Sequence, residues 1–269
     1  MNALSPDMAA AEALFAFWSD AGVDACFGEE PVDRTIFVAP VPSKGPATVT
    51  PLRPPGAAPS ADEAAAEARR VAADAATLDE LAEAIAAFEG CPLRGMGARQ
   101  AVFARGNPQG SLMVIGEGPG AEEDARGQPF VGQAGQLLDR ILTAAGLLDE
   151  AFITNTVFWK TPGNRTPTPQ EQAACAPFLE RAMALLKPRA VLLVGAAATK
   201  AVLKTDDGIM RTRGQWREWR LSEGGIAAPA MATLHPAFLL RQPQAKGLVW
   251  KDILDLSARL QAEAVEPGA

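Results

Sequence analysis

Short apolar segments alternate with longer segments of helical spacing over the second half of the chain. Four of the apolar segments predict buried strands, at residues 111–115, 152–157, 190–194 and 229–233. The interval after the first of them places leucine, isoleucine and alanine on one face of a helix over residues 134–145. Strands that alternate with helices indicate a parallel sheet covered on both faces. We therefore expect a three-layer α/β/α fold around a central four-stranded parallel sheet.

Local signals mark the remaining helices of this part of the chain. The segment Thr168-Pro-Gln-Glu171 has the residues of a capping box with proline at the first helical position, and its helix runs to Lys187. Helices are also expected over residues 196–204 and 245–264. In such a fold the binding groups lie in the loops after the carboxyl ends of the strands, so those loops are the place to look for chemistry.

The first third of the chain follows a different pattern. Residues 5–22 are apolar at helical spacing, and residues 29–60 contain eight prolines, which is typical of a linker. Residues 60–89 are rich in alanine and glutamate, and Thr77-Leu-Asp-Glu80 predicts a helix start there. The expected organisation is an acidic N-terminal extension that is mostly helical or disordered, a folded domain and a short tail, at residues 1–87, 88–260 and 261–269.

The net charge becomes informative when it is divided along the chain. The 269 residues are 48% hydrophobic and 21% charged, as in globular proteins, and the net charge is −7. Residues 1–90 hold 15 acidic and 5 basic residues, whereas residues 91–269 hold 17 acidic and 20 basic ones. Because salt screens charges beyond roughly 8–10 Å, an acidic extension does not keep a basic face of the body from phosphates. On charge alone, an ordinary solvated surface explains the body equally well.

The sequence also disfavours several classes of protein. No apolar run reaches the roughly 18 residues of a membrane span, and the start lacks the order of a signal peptide, so we expect no membrane partner. The three cysteines are an odd number, which disfavours a disulfide framework and fits a reducing cytoplasm. The single histidine excludes histidine-rich zinc sites and mechanisms that need two histidines.

The first predicted strand leads into a glycine-rich loop. The segment Gly116-Glu-Gly-Pro-Gly-Ala121 fits the G-x-G-x-x-A pattern of a dinucleotide-binding loop. However, Pro119 lacks a backbone donor that a phosphate cradle uses, and the second strand ends without the acidic residue that binds a ribose. A nicotinamide cofactor is therefore disfavoured, while a tight turn without a ligand remains open.

Three residues in the predicted loops have side chains that suit a flat ligand. Phe130, in a Pro-Phe-Val-Gly turn, can offer its ring face, and Asn155 presents one donor and one acceptor that match the edge of a pyrimidine. His235 follows the fourth strand and precedes apolar residues and Arg241. Each also has an ordinary structural explanation: core packing for the phenylalanine, a turn for the asparagine and hydrogen bonding for the histidine.

Taken together, these segments resemble the family 4 uracil-DNA glycosylases. The resemblance covers residues 88 to about 255 and rests on seven segments in the same order and at matching spacing: Gly116-Glu-Gly-Pro-Gly120, Glu123-Asp124, Gly127-Gln-Pro-Phe-Val-Gly132, Ala134-Gly135, Ile153-Thr-Asn155, Pro162-Gly-Asn-Arg-Thr-Pro167 and His235-Pro-Ala-Phe-Leu-Leu-Arg241. It implies the uracil-DNA glycosylase fold and hydrolysis of the N-glycosidic bond between uracil and deoxyribose, which initiates base-excision repair. The partner is then uracil-containing DNA, single- or double-stranded, and we expect a monomer.

The resemblance also implies how the base is held. Gly116 and the backbone of Glu117 and Gly118 bind one side of the uracil, while Phe130 stacks on it. Asn155 then reads the edge of the base. Such an enzyme takes the base out of the stack before the reaction.

Further residues are implied in catalysis and DNA contact. By the resemblance, His235 donates to the uracil O2 as negative charge develops there. The family loop usually has alanine where this chain has Gly118, a position that cannot hold a water-activating carboxylate, so water positioning is left to Asn164, to Glu117 or to the substrate. Leu239 and Leu240 are expected to fill the gap that the base leaves in the duplex, and Arg241 to contact the DNA backbone.

A larger departure concerns the [4Fe–4S] cluster that the family carries on four cysteines. This chain matches the ligand positions only at Cys91 and Cys175, whereas Phe88 and Trp159 stand at the other two. Because such clusters usually need four thiolates, we expect these two remnant positions to hold no metal and the chain to need no cofactor. Cys26 can supply a third thiolate only if the linker folds back.

The sequence leaves a second function open. The altered loop and the missing thiolates are also what a catalytically weakened, DNA-binding or replication-associated relative of the same fold would show. The joint presence of Phe130, Asn155 and His235 favours the hydrolase, because a binding protein does not need all three. The role of residues 1–87 is not indicated by the pattern.

Overall fold

The computed structural model describes residues 61–222, 224 and 227–265. The helix predicted over residues 5–22, the linker over 29–60, Cys26 and the last four residues of the tail lie outside these ranges. Six strands form one sheet: β1 (Ala104–Gly106), β2 (Leu112–Gly116), β3 (Ala151–Asn155), β4 (Ala190–Val194), β5 (Trp216–Arg220) and β6 (Ala227–Thr233).

The centre of the sheet is parallel. The strand order is β1-β3-β2-β4-β6-β5, and the four inner strands pair in parallel, which confirms the predicted four-stranded sheet. Two edge strands that the sequence analysis did not predict, β1 and β5, pair antiparallel to it. β1 has only three residues, and β5 consists of two tryptophans and three charged residues, so neither shows the continuous apolar run of the inner strands.

Nine helices are described: α1 (Ala61–Asp74), α2 (Leu78–Ala87), α3 (Ala121–Arg126), α4 (Gln133–Ala144), α5 (Pro169–Leu186), α6 (Ala196–Leu203), α7 (Ile209–Thr212), α8 (Pro236–Arg241) and α9 (Lys246–Val265). Alternate residues of the inner strands face opposite sides of the sheet. Met113 and Ile115 of β2 join a core with α1, α2, α5 and α6, while Leu112 and Val114 join a core with α4 and α9. The three-layer α/β/α architecture is therefore confirmed.

The predicted capping box begins α5. Thr168 Oγ1 accepts a hydrogen bond from Glu171 N at 3.3 Å, and Glu171 Oε2 accepts one from Thr168 N at 2.8 Å. Thr77 caps α2 in the same way, by accepting from Glu80 N at 3.1 Å. None of the described helices combines the length and the apolar character that a membrane span requires.

Residues 61–87 share the core of the body. Buried alanines of α1 and the side chains of Leu81 and Ile85 in α2 belong to the same apolar cluster as Met113 and Phe178. From α5, the Arg181 guanidinium donates two hydrogen bonds, of 2.9 and 2.6 Å, to the carbonyl of Ala75. We expected the folded domain to begin at residue 88, where the composition changes, but its packing already includes α1 and α2.

Candidate active site

The site lies where parallel strands end. Gly116 of β2 pairs with Asn155 of β3, so both residues stand at the carboxyl edge of the sheet. A cavity of about 580 Å³ lies there. Its walls include seven of the residues expected to bind or convert substrate: Glu117, Gly118, Phe130, Asn155, Asn164, His235 and Arg241. Gly116 lies beneath this wall, since a Cβ on it would stand 2.5 Å from Asn155 Oδ1 and closer still to the Phe130 ring.

Asn155 is buried, yet its side-chain oxygen has no hydrogen-bond partner among the described residues. The residue is 1% exposed. Its Oδ1 is the one buried side-chain nitrogen or oxygen in the described part of the chain without a hydrogen-bond partner. Leaving a buried carbonyl oxygen unpaired costs about 1–3 kcal/mol, and buried polar atoms in proteins are nearly always satisfied. The unpaired oxygen in a cavity wall therefore indicates a ligand that supplies a donor.

Phe130 forms an apolar part of the cavity wall. Its ring lies 5.8 Å from the His235 ring, centroid to centroid, with 27° between the planes. Its backbone has φ 55°, in the left-handed region that side chains other than glycine rarely adopt. The residue is 7% exposed, so the ring is held in place rather than free in solvent.

Glu123, for which the sequence indicates no role, joins two loops of the cavity. Its Oε1 accepts hydrogen bonds from Val131 N and Gly132 N, both at 2.9 Å, directly after Phe130. Its Oε2 accepts one from Gly120 N at 3.1 Å, in the glycine-rich loop. A carboxylate three residues after the N-cap residue of α3 is the local sequence signal for the contact with Gly120 N. The contact with Val131 N spans eight residues, and no local pattern indicates it.

The glycine-rich loop is fixed from β3 as well. The Glu117 carbonyl accepts hydrogen bonds from Thr156 Oγ1 at 2.6 Å and from Val157 N at 3.3 Å. A Cβ on Gly118 would stand 2.8 Å from Val157 Cγ2, which is closer than side chains tolerate. Gly118 therefore packs tightly against buried Val157. A carboxylate side chain at position 118 would collide with the same methyl group.

His235 is held as a neutral imidazole. It caps the N-terminus of α8, where its Nδ1 accepts a hydrogen bond from Ala237 N at 3.1 Å, so a neutral ring carries its proton on Nε2. Burial, together with the positive charge of Arg241, lowers the pKa of His235 to about 4, and Glu123 opposes this only in part. At neutral pH the ring is therefore uncharged and has one N–H to donate.

A third loop completes the wall. Asn164 is exposed at its rim with φ 54°. Thr161 Oγ1 donates to the carbonyl of Arg165 at 2.6 Å. The Arg165 guanidinium binds both oxygens of Glu171, at 2.8 and 2.6 Å, and holds the pKa of that carboxyl below its usual range. The loop that presents Asn164 is thereby tied to the first turn of α5.

Helix α8 places the two leucines that were expected to enter the duplex in different environments. Leu239 is fully buried in the core under the sheet, whereas Leu240 is 42% exposed beside Phe238 at 37%. The prediction for Leu239 is therefore wrong for this structure, because consecutive residues of a helix face different directions. Leu240 and Arg241 remain on the outer face.

The four positions of the family's cluster come together, but with two thiols only. Cys91 Sγ and Cys175 Sγ lie 3.9 Å apart, and both residues are buried. The Phe88 ring packs edge-on against Phe178 with a centroid distance of 5.0 Å, and Trp159 is 2% exposed against Phe158. Within the described ranges, no group of three or more histidine, cysteine, aspartate or glutamate residues is placed to hold a metal ion. Two thiols and two packed aromatic rings do not fit a [4Fe–4S] cluster, which needs four ligands.

Comparison with known proteins gives consistent matches. The sequence profile of the Uracil DNA glycosylase superfamily matches residues 103–254. A type-4 uracil-DNA glycosylase from Pyrobaculum aerophilum is 36% identical over 65% of this chain and 91% of its own length. The type-4 enzymes of Thermotoga maritima and Sulfurisphaera tokodaii are 36% and 32% identical, over 61% and 65% of this chain and 83% and 81% of their lengths.

Proposed function

The chain belongs to the type-4 branch of the uracil-DNA glycosylase superfamily, and on that premise we propose that it hydrolyses the N-glycosidic bond between uracil and deoxyribose in DNA. It is then a hydrolase that initiates base-excision repair. The observation that carries this proposal is the unpaired, buried Oδ1 of Asn155 in the cavity wall.

Asn155 selects uracil by its pattern of donors and acceptors. The N3–H group of uracil donates to Oδ1, and the O4 atom of uracil accepts from the Asn155 amide N–H. Cytosine reverses this pattern, because its N3 is an acceptor and its N4 a donor. A buried site built to pair with one pattern rejects the other strongly, since its polar groups are then left unpaired.

The base is held between apolar and backbone surfaces. Phe130 stacks on its face, and the backbone of the loop at Gly116, Glu117 and Gly118 binds one side of it. The base reaches the cavity only after it leaves the DNA stack, at a cost of a few kcal/mol. Leu240 fills the gap and Arg241 meets the backbone beside it, which their exposed positions on α8, next to His235, support.

The reaction replaces one bond by another. The bond between C1′ and N1 breaks, and its electron pair stays on the uracil. A water oxygen bonds to C1′, and the proton that this water loses is balanced by the proton that the uracil anion takes up, so the products are neutral uracil and an abasic site. The Nε2–H of neutral His235 donates to the uracil O2, where negative charge develops, and a fixed donor aimed at developing charge is a large contribution in enzymes. Asn164 or Glu117, both in the cavity wall, or the substrate itself is proposed to orient the water.

The chain is proposed to act without an iron-sulfur cluster. Phe88 and Trp159 stand with apolar packing at two of the four ligand positions, and within the described part of the chain Cys91 and Cys175 supply the thiols at the other two. Protein purified without oxygen should contain substoichiometric iron and lack the visible absorption of a cluster. A cluster spectrum with stoichiometric iron would overturn this part of the proposal.

We further propose that the protein acts as a monomer. The odd number of cysteines in the sequence disfavours a disulfide framework and supports a reducing compartment, such as the cytoplasm.

Incubation with uracil-containing oligonucleotides tests the activity. The parent protein should produce alkali-labile sites in single-stranded or double-stranded DNA, whereas His235→Ala and Phe130→Ala, purified in the same way, should lose most of this activity. A contaminating enzyme would give equal activity in all three preparations. If the parent protein binds the DNA without producing such sites, the DNA-binding alternative replaces the hydrolase.

A further inference from the structure

Phe130 adopts a backbone conformation that its own side chain does not favour. Its φ of 55° lies in the left-handed region, which glycine adopts freely and a residue with a side chain adopts only at a cost. A strained residue at a binding surface persists only when the surrounding contacts determine it. The contacts around this turn therefore decide where the stacking ring lies.

Arg105 supplies the contacts on the carbonyl side of the turn. Its Nε donates to the Pro129 carbonyl at 2.7 Å, and its Nη2 donates to the Phe130 carbonyl at 3.1 Å. Glu123 accepts from the two N–H groups that follow. One guanidinium and one carboxylate thus hold three consecutive peptide groups on both sides of the ring.

The guanidinium is itself oriented. Its Nη2 also donates to Asp139 Oδ1 of helix α4 at 2.6 Å, and the two side chains are 17% and 35% exposed. Gly135, in the first turn of the same helix, lies so close to the Phe130 carbonyl that a Cβ would overlap it. A planar, forked donor set is needed to reach two carbonyls and one carboxylate at once, which a lysine ammonium does not provide.

Arg105 stands outside the cavity. It lies on the edge strand β1, opposite Ile153 of β3, two residues before Asn155. Arg105 therefore links the edge strand β1 to the turn that holds the Phe130 ring. β1 pairs with β3, the strand that ends in Asn155.

We propose that Arg105 is a positioning residue, which holds Phe130 in the left-handed turn that lays its ring over the base. This inference rests on the proposed uracil-DNA glycosylase activity and assigns a function to the edge strand. Arg105 acts through Phe130 and does not touch the substrate.

A double-mutant cycle tests the proposal. Arg105→Met keeps the length of the side chain and removes the donors. Its single-turnover rate of uracil release is expected to fall at least tenfold, and its inhibition by free uracil to weaken. In a Phe130→Leu background the same substitution should change the rate less than twofold, because the ring it positions is gone. Arg105→Lys should recover only part of the rate.

Arg181→Met is the matched control, because that guanidinium also binds a main-chain carbonyl, that of Ala75, away from the cavity. It should leave the rate unchanged. If Arg105→Met does not fold, Asp139→Asn replaces it, with a smaller loss that should again vanish in the Phe130→Leu background.

The outcomes separate this proposal from the activity on which it rests. A parent protein that releases no uracil contradicts the activity itself. Active parent protein with an unchanged Arg105→Met variant overturns the positioning role alone. Equal losses in the two backgrounds also overturn it, because they show that Arg105 supports the fold rather than the ring.

Discussion

Asn155 and Gly116 pair across the parallel strands β3 and β2, and a Cβ on Gly116 would stand only 2.5 Å from Asn155 Oδ1. The same Cβ would also press into the ring of Phe130. The absence of a side chain at Gly116 therefore leaves room for both the Asn155 amide and the Phe130 ring.

Gly116→Ala tests this relationship. The added methyl group displaces Asn155 or Phe130, so uracil release is expected to fall about 10²-fold or more, as in sites that lose a positioned hydrogen bond. Single-turnover kinetics with a uracil-containing oligonucleotide measure the effect. Gly247→Ala serves as control, because a Cβ there meets nothing within 4 Å. A Gly116→Ala enzyme with the parent rate would contradict the tight arrangement.

His235 is expected to titrate far below an ordinary histidine. It is the only histidine of the chain, so its ring resonances can be followed by NMR without assignment. Because burial and Arg241 lower its pKa to about 4, the midpoint should lie near that value, and nitrogen shifts at neutral pH should show the proton on Nε2. A midpoint between 6 and 7, the range of an ordinary histidine, would contradict the neutral donor.

The same shift affects stability with a defined sign. The folded-state pKa lies below the usual 6.5, so the unfolded chain binds more protons between these values, and stability falls as the pH falls through this window. His235→Gln should weaken this pH dependence of the urea midpoint relative to the parent. Unaltered pH dependence in the variant would show that other groups cause it.

The tight fit between Gly118 and Val157 predicts non-additive substitutions. Gly118→Ala is expected to lower the free energy of unfolding by about 1–3 kcal/mol, as overpacking does. Val157→Ala leaves a cavity and is also destabilising. Because the second change removes the methyl group that the first would meet, the double variant should lose at least about 0.5 kcal/mol less than the sum. Urea denaturation measures the cycle, and strict additivity would show that residue 118 has free space.

Phe130 should tolerate glycine better than alanine. Both changes remove the ring, but glycine adopts the observed φ of 55° freely, so Phe130→Gly is expected to be more stable than Phe130→Ala by about 1 kcal/mol. At Phe238, inside α8, the order should be reversed, because glycine weakens a helix. Urea midpoints of the four variants provide the comparison. The same order at both positions would mean that Phe130 is not strained.

The inner sheet was predictable because its residues alternate between two buried faces. The segments at β2 and β4 are apolar throughout, and β3 is buried along its whole length and begins with three apolar residues, a pattern that periodicity detects. The edge strands escaped prediction since one is short and the other has an exposed, charged face. Burial along α8 was not predictable from composition, and the structure gives neighbouring Leu239 and Leu240 opposite environments.

Residues that line the candidate site could be predicted from the sequence, whereas the residues that hold them in position could not. Phe130, Asn155 and His235 stand in recognisable local segments, and the fold brings them to one cavity. Arg105 reaches Phe130 and Asp139 across 25 and 34 residues, and no local pattern marks such contacts. The supports therefore depend on the packing of α4 and β1, which only the folded chain defines.

Direct measurement of free uracil from the parent protein and Asn155→Asp tests the central claim most closely. The aspartate keeps the size of the side chain but loses the donor for the uracil O4, so release is expected to fall about 10²-fold or more. Asn107→Asp, the same change in a surface loop where the Asn107 amide donates to the main-chain carbonyl of Asp149, should retain the parent rate. The account predicts one free uracil per abasic site in the parent and a large loss in Asn155→Asp alone. Equal release by the parent protein and Asn155→Asp would contradict it.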